Sequence, residues 1–206
     1  MARFPAGFPI GFKLAPGINP DEAAALNGEV EFISLDGELK ECCVWLGGLR
    51  TTARRATVLR VVRSLRERET LASESPAPWP EVTDVGEYLY DPDSTVVRSG
   101  LVGDLANATG LTGIDYRVAF LTGGLVETSF ATRYRVQDVC PLDAKTVSTK
   151  LRTSGVGRVT IVKRGVDLDA DKLNTKWTTD LPGYRFVILT RIGGSAKAVI
   201  AERTES

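Results

Sequence analysis

The chain has 206 residues, 43% apolar and 25% charged, enough for one large or two small domains and unlike a chain disordered throughout. Twenty-six basic residues balance 26 acidic ones, and no apolar run is long enough for a spanning helix, so no membrane partner is expected. Histidine is absent, which removes the commonest general base and the commonest metal ligand together.

The opening MARFPAGFPIGF lacks the features of a secretory leader, so a cytoplasmic location is expected. Cys42, Cys43 and Cys140 are odd in number and read as reduced core residues; the adjacent pair would point to opposite faces of a strand, which disfavours joint metal ligation. Balanced total charge hides a basic bridge from Arg50 to Thr70, seven basic against two acidic, and a final third from Ala131 with fourteen against eight. Polyanion binding is therefore one reading of those segments.

In chain order, Ile10, Phe12 and Leu14 share one face of a strand, after which Asn19 caps a short helix with Pro20 at its first position. Glu29–Ser34 and Glu38–Leu46, joined by Asp36-Gly37, read as a hairpin whose return strand CCVWL is apolar on both faces and so central. RRATVLRVV is expected as a strand with an arginine-rich tail, which suits either phosphate contact or a solvated connector. LASESPAPWP, residues 71–80, reads as a linker.

Beyond it, Tyr88 and Tyr90 lie on a short strand. Asp91-Pro92 then opens a single helix striped by Val97, Leu101, Leu105 and Ala108 and ended by Gly110. Gly113–Leu121 is expected as a strand, Phe130–Val139 as another, then a helix capped by Asp143 and a strand over Val159–Val162. The glycines of GVGRVTIVK precede that strand and not a helix, so they form no phosphate loop. Asp169 caps a last helix, DLDAD lacks the glycine and terminal glutamate of a calcium loop, and Tyr184–Ile192 with Ala196–Glu202 form a closing hairpin across Gly193-Gly194.

No carboxylate pair or nucleophile elbow stands out. The remaining chemistry is positive charge: Arg133 and Arg135, with Arg185 and Arg191, are expected on one sheet face, and Lys163 and Arg164 at its edge. Such a surface suits an RNA backbone, although exposed strands also carry arginine for solubility.

Several segments together, GEYLYDPDSTVVRSGLVGDLANATG, GIDYRVAFLTG, FATRYRV, PLDAKTV and GVGRVTIVKRGVDLDADKL, resemble the C-terminal THUMP-like domain of bacterial class I S-adenosylmethionine-dependent methyltransferases. The opening KLAPG strand and the EVEFISLDGELKECCVW hairpin look like the tail of the methyltransferase fold, in which an antiparallel hairpin is inserted into an otherwise parallel sheet. The resemblance implies an α/β (α+β) chain: residues 1–70 the partial methyltransferase-type sheet, 71–80 the linker, and 81–206 a THUMP-like domain. It implies an RNA partner, with tRNA the expected species, and Lys163 and Arg164 are carried over as contacts and Asp91 and Arg98 as structural residues. The glycine-rich loop and ribose-binding acid of a cofactor site are missing, so no cofactor or catalytic residue is expected in this chain, S-adenosylmethionine being implied for the full-length family. Open sheet edges would invite the missing methyltransferase half or a second copy of the chain, and a non-enzymatic interaction or dimerisation module is the competing reading.

Overall fold

A computed structural model describes residues 7–62 and 65–204, the side chains of Val62 and Leu65 excepted; Arg63 of the basic bridge lies outside them. The chain divides into two compact units, the first holding residues up to Pro80 with Pro92–Gly110 and Thr128–Ala131, the second holding Glu81–Asp91, Leu111–Glu127 and residues from Thr132 onward.

The first unit is built on β1 (Ile10–Leu14), β2 (Glu29–Leu35), β3 (Glu38–Leu46), β4 (Arg54–Val62) and β5 (Leu65–Ser73), in the sheet order β1-β3-β2-β4-β5. The β2–β3 turn needs positive φ at both central residues, and Asp36 (φ 51°) and Gly37 (φ 80°) supply it. Strand β3 lies antiparallel between β1 and β2, as expected of an inserted hairpin. On one face Val30, Phe32, Cys42 and Val44 form a core with Ala23 of α1 (Pro20–Ala24), whose expected cap is present: Asn19 Oδ1 accepts from Asp21 N at 2.9 Å. Cys42 and Cys43 are both buried and unbridged, and burial pushes the Cys42 thiol up to about 11, which leaves it protonated and unreactive.

Three expectations for this unit are corrected. The arginine-rich tail is no free connector: Leu65–Ser73 pairs antiparallel along the whole of β4, so the first three residues of the expected linker are strand. The segment after Tyr90 is two helices, α2 (Ser94–Ser99) and α3 (Val102–Thr109), because Gly100 adopts φ 75° and the Leu101 amide reaches back to the Val96 carbonyl at 2.9 Å, closing α2. Its cap is Asp93, which accepts from Thr95 N at 2.9 Å, while Pro92 ends a strand and is not the first helical residue. By packing, α2 lies against β2 and β4, and Arg98 in its last turn stacks over the Phe32 ring at 5.4 Å and donates to the carbonyls of Pro16 and Ile18. The helical pair thus packs with the first sheet, whereas sequence placed it beyond the linker.

The second sheet contains β6 (Tyr88–Pro92), β7 (Thr112–Gly113), β8 (Leu121–Gly123), β9 (Ala131–Pro141), β10 (Val156–Lys163), β11 (Gly183–Ile192) and β12 (Ser195–Arg203), ordered β10-β11-β12-β9-β6-β8-β7. The expected strand over Gly113–Leu121 is mostly loop. Tyr116, Val118 and Phe120 alternate as a strand would, but Asp115 Oδ1 captures the Arg117 amide at 2.8 Å and Oδ2 that of Gly194 at 2.7 Å, and Tyr116 is left 72% exposed. Helices α4 (Ala144–Thr153) and α5 (Ala170–Trp177), capped by Asp143 and Asp169 as expected, cover one face over a core of Val147, Leu151, Val159, Trp177, Val187 and Leu189. On the other face Leu89, Ile114, Phe120, Tyr134, Ile188 and Val199 form a second core.

Candidate nucleic-acid interface

The six cations singled out in the sequence meet different fates. Arg135 and Arg185 do share a face, in a cross-strand row set by the registers Arg135–Glu202 and Phe186–Ala201. That row is internally neutralised: Arg185 pairs with Glu202 at 2.8 Å and Arg135 with Glu87 at 3.5 Å. Arg133 is only 7% exposed; its guanidinium donates to Thr204 at 2.7 Å, binds Glu127 at 2.5 Å and lies over Tyr88. Arg191 donates to the Gly194 carbonyl and Lys163 to the Leu168 carbonyl at 2.7 Å, both local turn contacts. Arg164 pairs with Asp91 at 2.8 Å and stacks over Phe120, so the two motif residues YDPD and KRG meet within this unit. Strand alternation located these side chains, but it does not reveal their partners.

A different set stands unneutralised on the opposite face. Register places Arg158 of β10 beside Tyr184 of β11, and Arg203 of β12 beside Tyr134 of β9. Two residues outward from the Phe186–Ala201 pair, Tyr184 and Arg203 are neighbours. The row therefore reads Arg158, Tyr184, Arg203, Tyr134. Arg158 and Arg203 are exposed and make no ion pair among the described residues. Between them the rings form a ladder: Tyr134 to Phe186 at 5.3 Å and 60°, Phe186 to Tyr184 at 5.5 Å and 72°, both edge-to-face. Tyr184 is 43% exposed and its hydroxyl is held by Thr160 Oγ1 at 2.7 Å. Burial, and next the Asp91 carboxylate, raise the Tyr134 phenol above its usual range, so it stays a neutral ring at physiological pH. The sequence signal for this site is the alternation Arg158, Thr160, Val162 and Tyr184, Phe186, Ile188, which the adjacent Arg185, on the opposite face, does not distinguish from its own.

The first unit has a recess of about 220 Å³ lined by Glu29, Glu31, Trp45, Thr51, Arg55 and Arg68. Its buried carboxylates are consumed internally. Glu29 accepts from Thr51 N at 2.8 Å, Thr51 Oγ1 at 2.9 Å, Thr52 N at 3.2 Å and Arg55 Nε at 2.5 Å; Glu31 accepts from Trp45 Nε1 at 2.7 Å and Thr57 Oγ1 at 2.5 Å. Burial alone would push the Glu29 carboxyl up, but the Arg55 and Thr51 hydrogen bonds outweigh it and hold the group below the ordinary carboxylate range. Among the described residues no cluster suited to a metal ion occurs. At the β1-to-α1 connection of the first sheet, α1 has only five residues and an acidic first turn, Asp21 and Glu22, which disfavours the carboxylate of S-adenosylmethionine there.

The chain thus combines a sheet with a central antiparallel hairpin strand and a second mixed α/β unit. The comparisons are specific. Residues 131–203 match the family model described as THUMP domain-like. The chain is 33% identical over 196 residues to uncharacterized S-adenosylmethionine-dependent methyltransferases of Mycobacterium tuberculosis strains CDC 1551 / Oshkosh and H37Rv, covering 92% of this chain and 52% of each relative. The chain thus spans about half the length of the curated relatives it matches. A crystal structure from Porphyromonas gingivalis W83, described provisionally as a methyltransferase, superposes with a TM-score of 0.76 at 17% identity, over 96% of this chain and 51% of that one. The resemblance read from the sequence, part of a methyltransferase with a THUMP-like domain, is what these matches support, and no described helix is long and apolar enough to cross a membrane.

Proposed function

We propose that this chain is the substrate-holding part of an S-adenosylmethionine-dependent methyltransferase, its THUMP-like unit binding RNA, with tRNA the expected species, and that it is inactive by itself. The observation that carries the reading is the pair of exposed arginines, Arg158 and Arg203, that no described carboxylate neutralises. Lys163, at the far end of β10, adds charge, whereas Arg164 just beyond it is paired with Asp91; Arg133, Arg135 and Arg185 are held in ion pairs and Arg191 by the Gly194 carbonyl.

Full-chain binding to bulk tRNA across a salt series tests this. Affinity is expected to fall steeply with salt, and each of Arg158→Gln and Arg203→Gln to reduce the log–log slope by roughly 0.7 to 0.9. S-adenosylmethionine titrated alone should give no binding heat. A salt-insensitive dimer without tRNA affinity would instead establish the interaction module, for which the open sheet edge at β1, with Phe12 41% exposed, is the favouring observation.

A further inference from the structure

We propose that the face bearing Arg158, Tyr184, Phe186 and Arg203 takes unpaired RNA, with bases stacked on the Tyr184 and Phe186 rings and the adjoining phosphates held by the two arginines. The inference deepens the RNA reading above and rests on it. Three observations carry it.

The first is the contrast between the two faces of the same strands. On one, Arg185, Glu202, Arg135 and Glu87 alternate in sign and cancel. On the other, the row contains two arginines and two tyrosines and no carboxylate; Asp91, which raises the Tyr134 phenol, is already engaged by Arg164 at 2.8 Å. Along this stretch of the strands the row with uncompensated positive charge is the aromatic one, which is the complementarity a polyanion with flat bases requires.

The second is the way the rings are held. An exposed tyrosine on a sheet ordinarily swings with its own rotamers, but Tyr184 is fixed at its tip by Thr160 and at its edge by Phe186, itself braced on buried Tyr134. A ring ordered before binding loses little entropy when a base covers it. The third is shape. Paired RNA presents a deep, narrow major groove and a shallow minor groove, and its bases are closed to stacking from the side, whereas looped or terminal bases can splay onto a sheet. The platform therefore selects unpaired over paired RNA.

The test compares the full chain's affinity for a labelled single-stranded RNA of about ten nucleotides with that for the same strand annealed to its complement. The single strand is expected to bind at least tenfold more tightly. Tyr184→Ala should weaken single-strand binding about tenfold and leave duplex binding unchanged, while Tyr184→Phe, which keeps the ring, should retain nearly all of it. Circular dichroism confirms that each variant is folded, and Phe186→Leu provides a second probe. Equal affinity for the two RNAs, or no effect of Tyr184→Ala, overturns the stacking platform while leaving an RNA-binding unit. Absence of binding to either RNA at low salt overturns both readings.

Discussion

Exchanging Glu29 for glutamine is expected to lower the stability of the first unit by about 3 kcal/mol at neutral pH, and that deficit should shrink as the solution is acidified. Glu29 is 2% exposed on the polar face of β2, directly beneath the loop that carries Thr51 and Thr52 and beside Arg55 of β4. Its carboxylate receives four donors, one of them charged, which tie the crossover between β3 and β4 to the sheet. Glutamine keeps the shape, but it sets an amide N–H against donors and leaves the Arg55 guanidinium without its anion. The pH dependence has a definite sign. Because the folded-state pKa lies below the reference value of 4.5, Glu29 contributes stability that is complete above that reference and lost as pH falls through the folded pKa. Asp143 and Asp169 are also held low by their capping hydrogen bonds, yet they titrate in both proteins and cancel in the difference. Urea unfolding of the wild type and Glu29→Gln at pH 7 and pH 3 measures it. An unchanged gap at the two pH values would show that the lost interaction is steric and not the charge.

Much of the framework follows from local chemistry written in the sequence. Asn19, Asp143 and Asp169 cap helices because each carries a short acceptor ahead of a helical run, and Asp36-Gly37 and Gly193-Gly194 turn hairpins because they accept positive φ. The errors arose where a nonlocal contact decided the outcome. Nothing in Leu65–Ser73 alone distinguishes a solvated arginine-rich connector from an edge strand; its partner β4 settles it. Gly100 breaks an apolar stripe that periodicity carried straight through, and Asp115 diverts an alternating segment by binding two backbone amides, one of them 79 residues away.

The candidate site divides in the same way. Sequence located basic strands, but the sign of a surface depends on which carboxylates the neighbouring strands bring opposite, and that is a matter of register. Glu202 cancels Arg185 and Glu87 faces Arg135, whereas Arg158 and Arg203 fall opposite tyrosines. A shift of one residue between β11 and β12 would exchange these roles. The basic character of the final third was therefore legible, and the face that carries it was not.

Trp177→Ala is expected to remove about 3–5 kcal/mol from the second unit and to lower its melting temperature by roughly 15 °C or more. The indole is 2% exposed at the end of α5, where it fills the space over Val159 of β10 and Val187 and Leu189 of β11, and its Nε1 donates to the Ala144 carbonyl at 3.1 Å, joining α5 to the start of α4. Alanine leaves a cavity too large for these short helices to close by settling, whereas Trp177→Phe keeps most of the volume and should cost about 1–2 kcal/mol. The consequence for RNA is indirect and can be separated from a contact. Strands β10 and β11 turn Val159, Val187 and Leu189 toward Trp177 and present Arg158, Tyr184 and Phe186 on their other side. Well below its melting temperature, Trp177→Ala should bind single-stranded RNA with nearly wild-type affinity, and the loss on warming should follow the fraction unfolded. Tyr184→Ala should show the reverse, weak binding at every temperature with an almost unchanged melt. If Trp177→Ala instead binds weakly while fully folded, the helices behind the sheet set the ring geometry on its front, and the two faces are coupled.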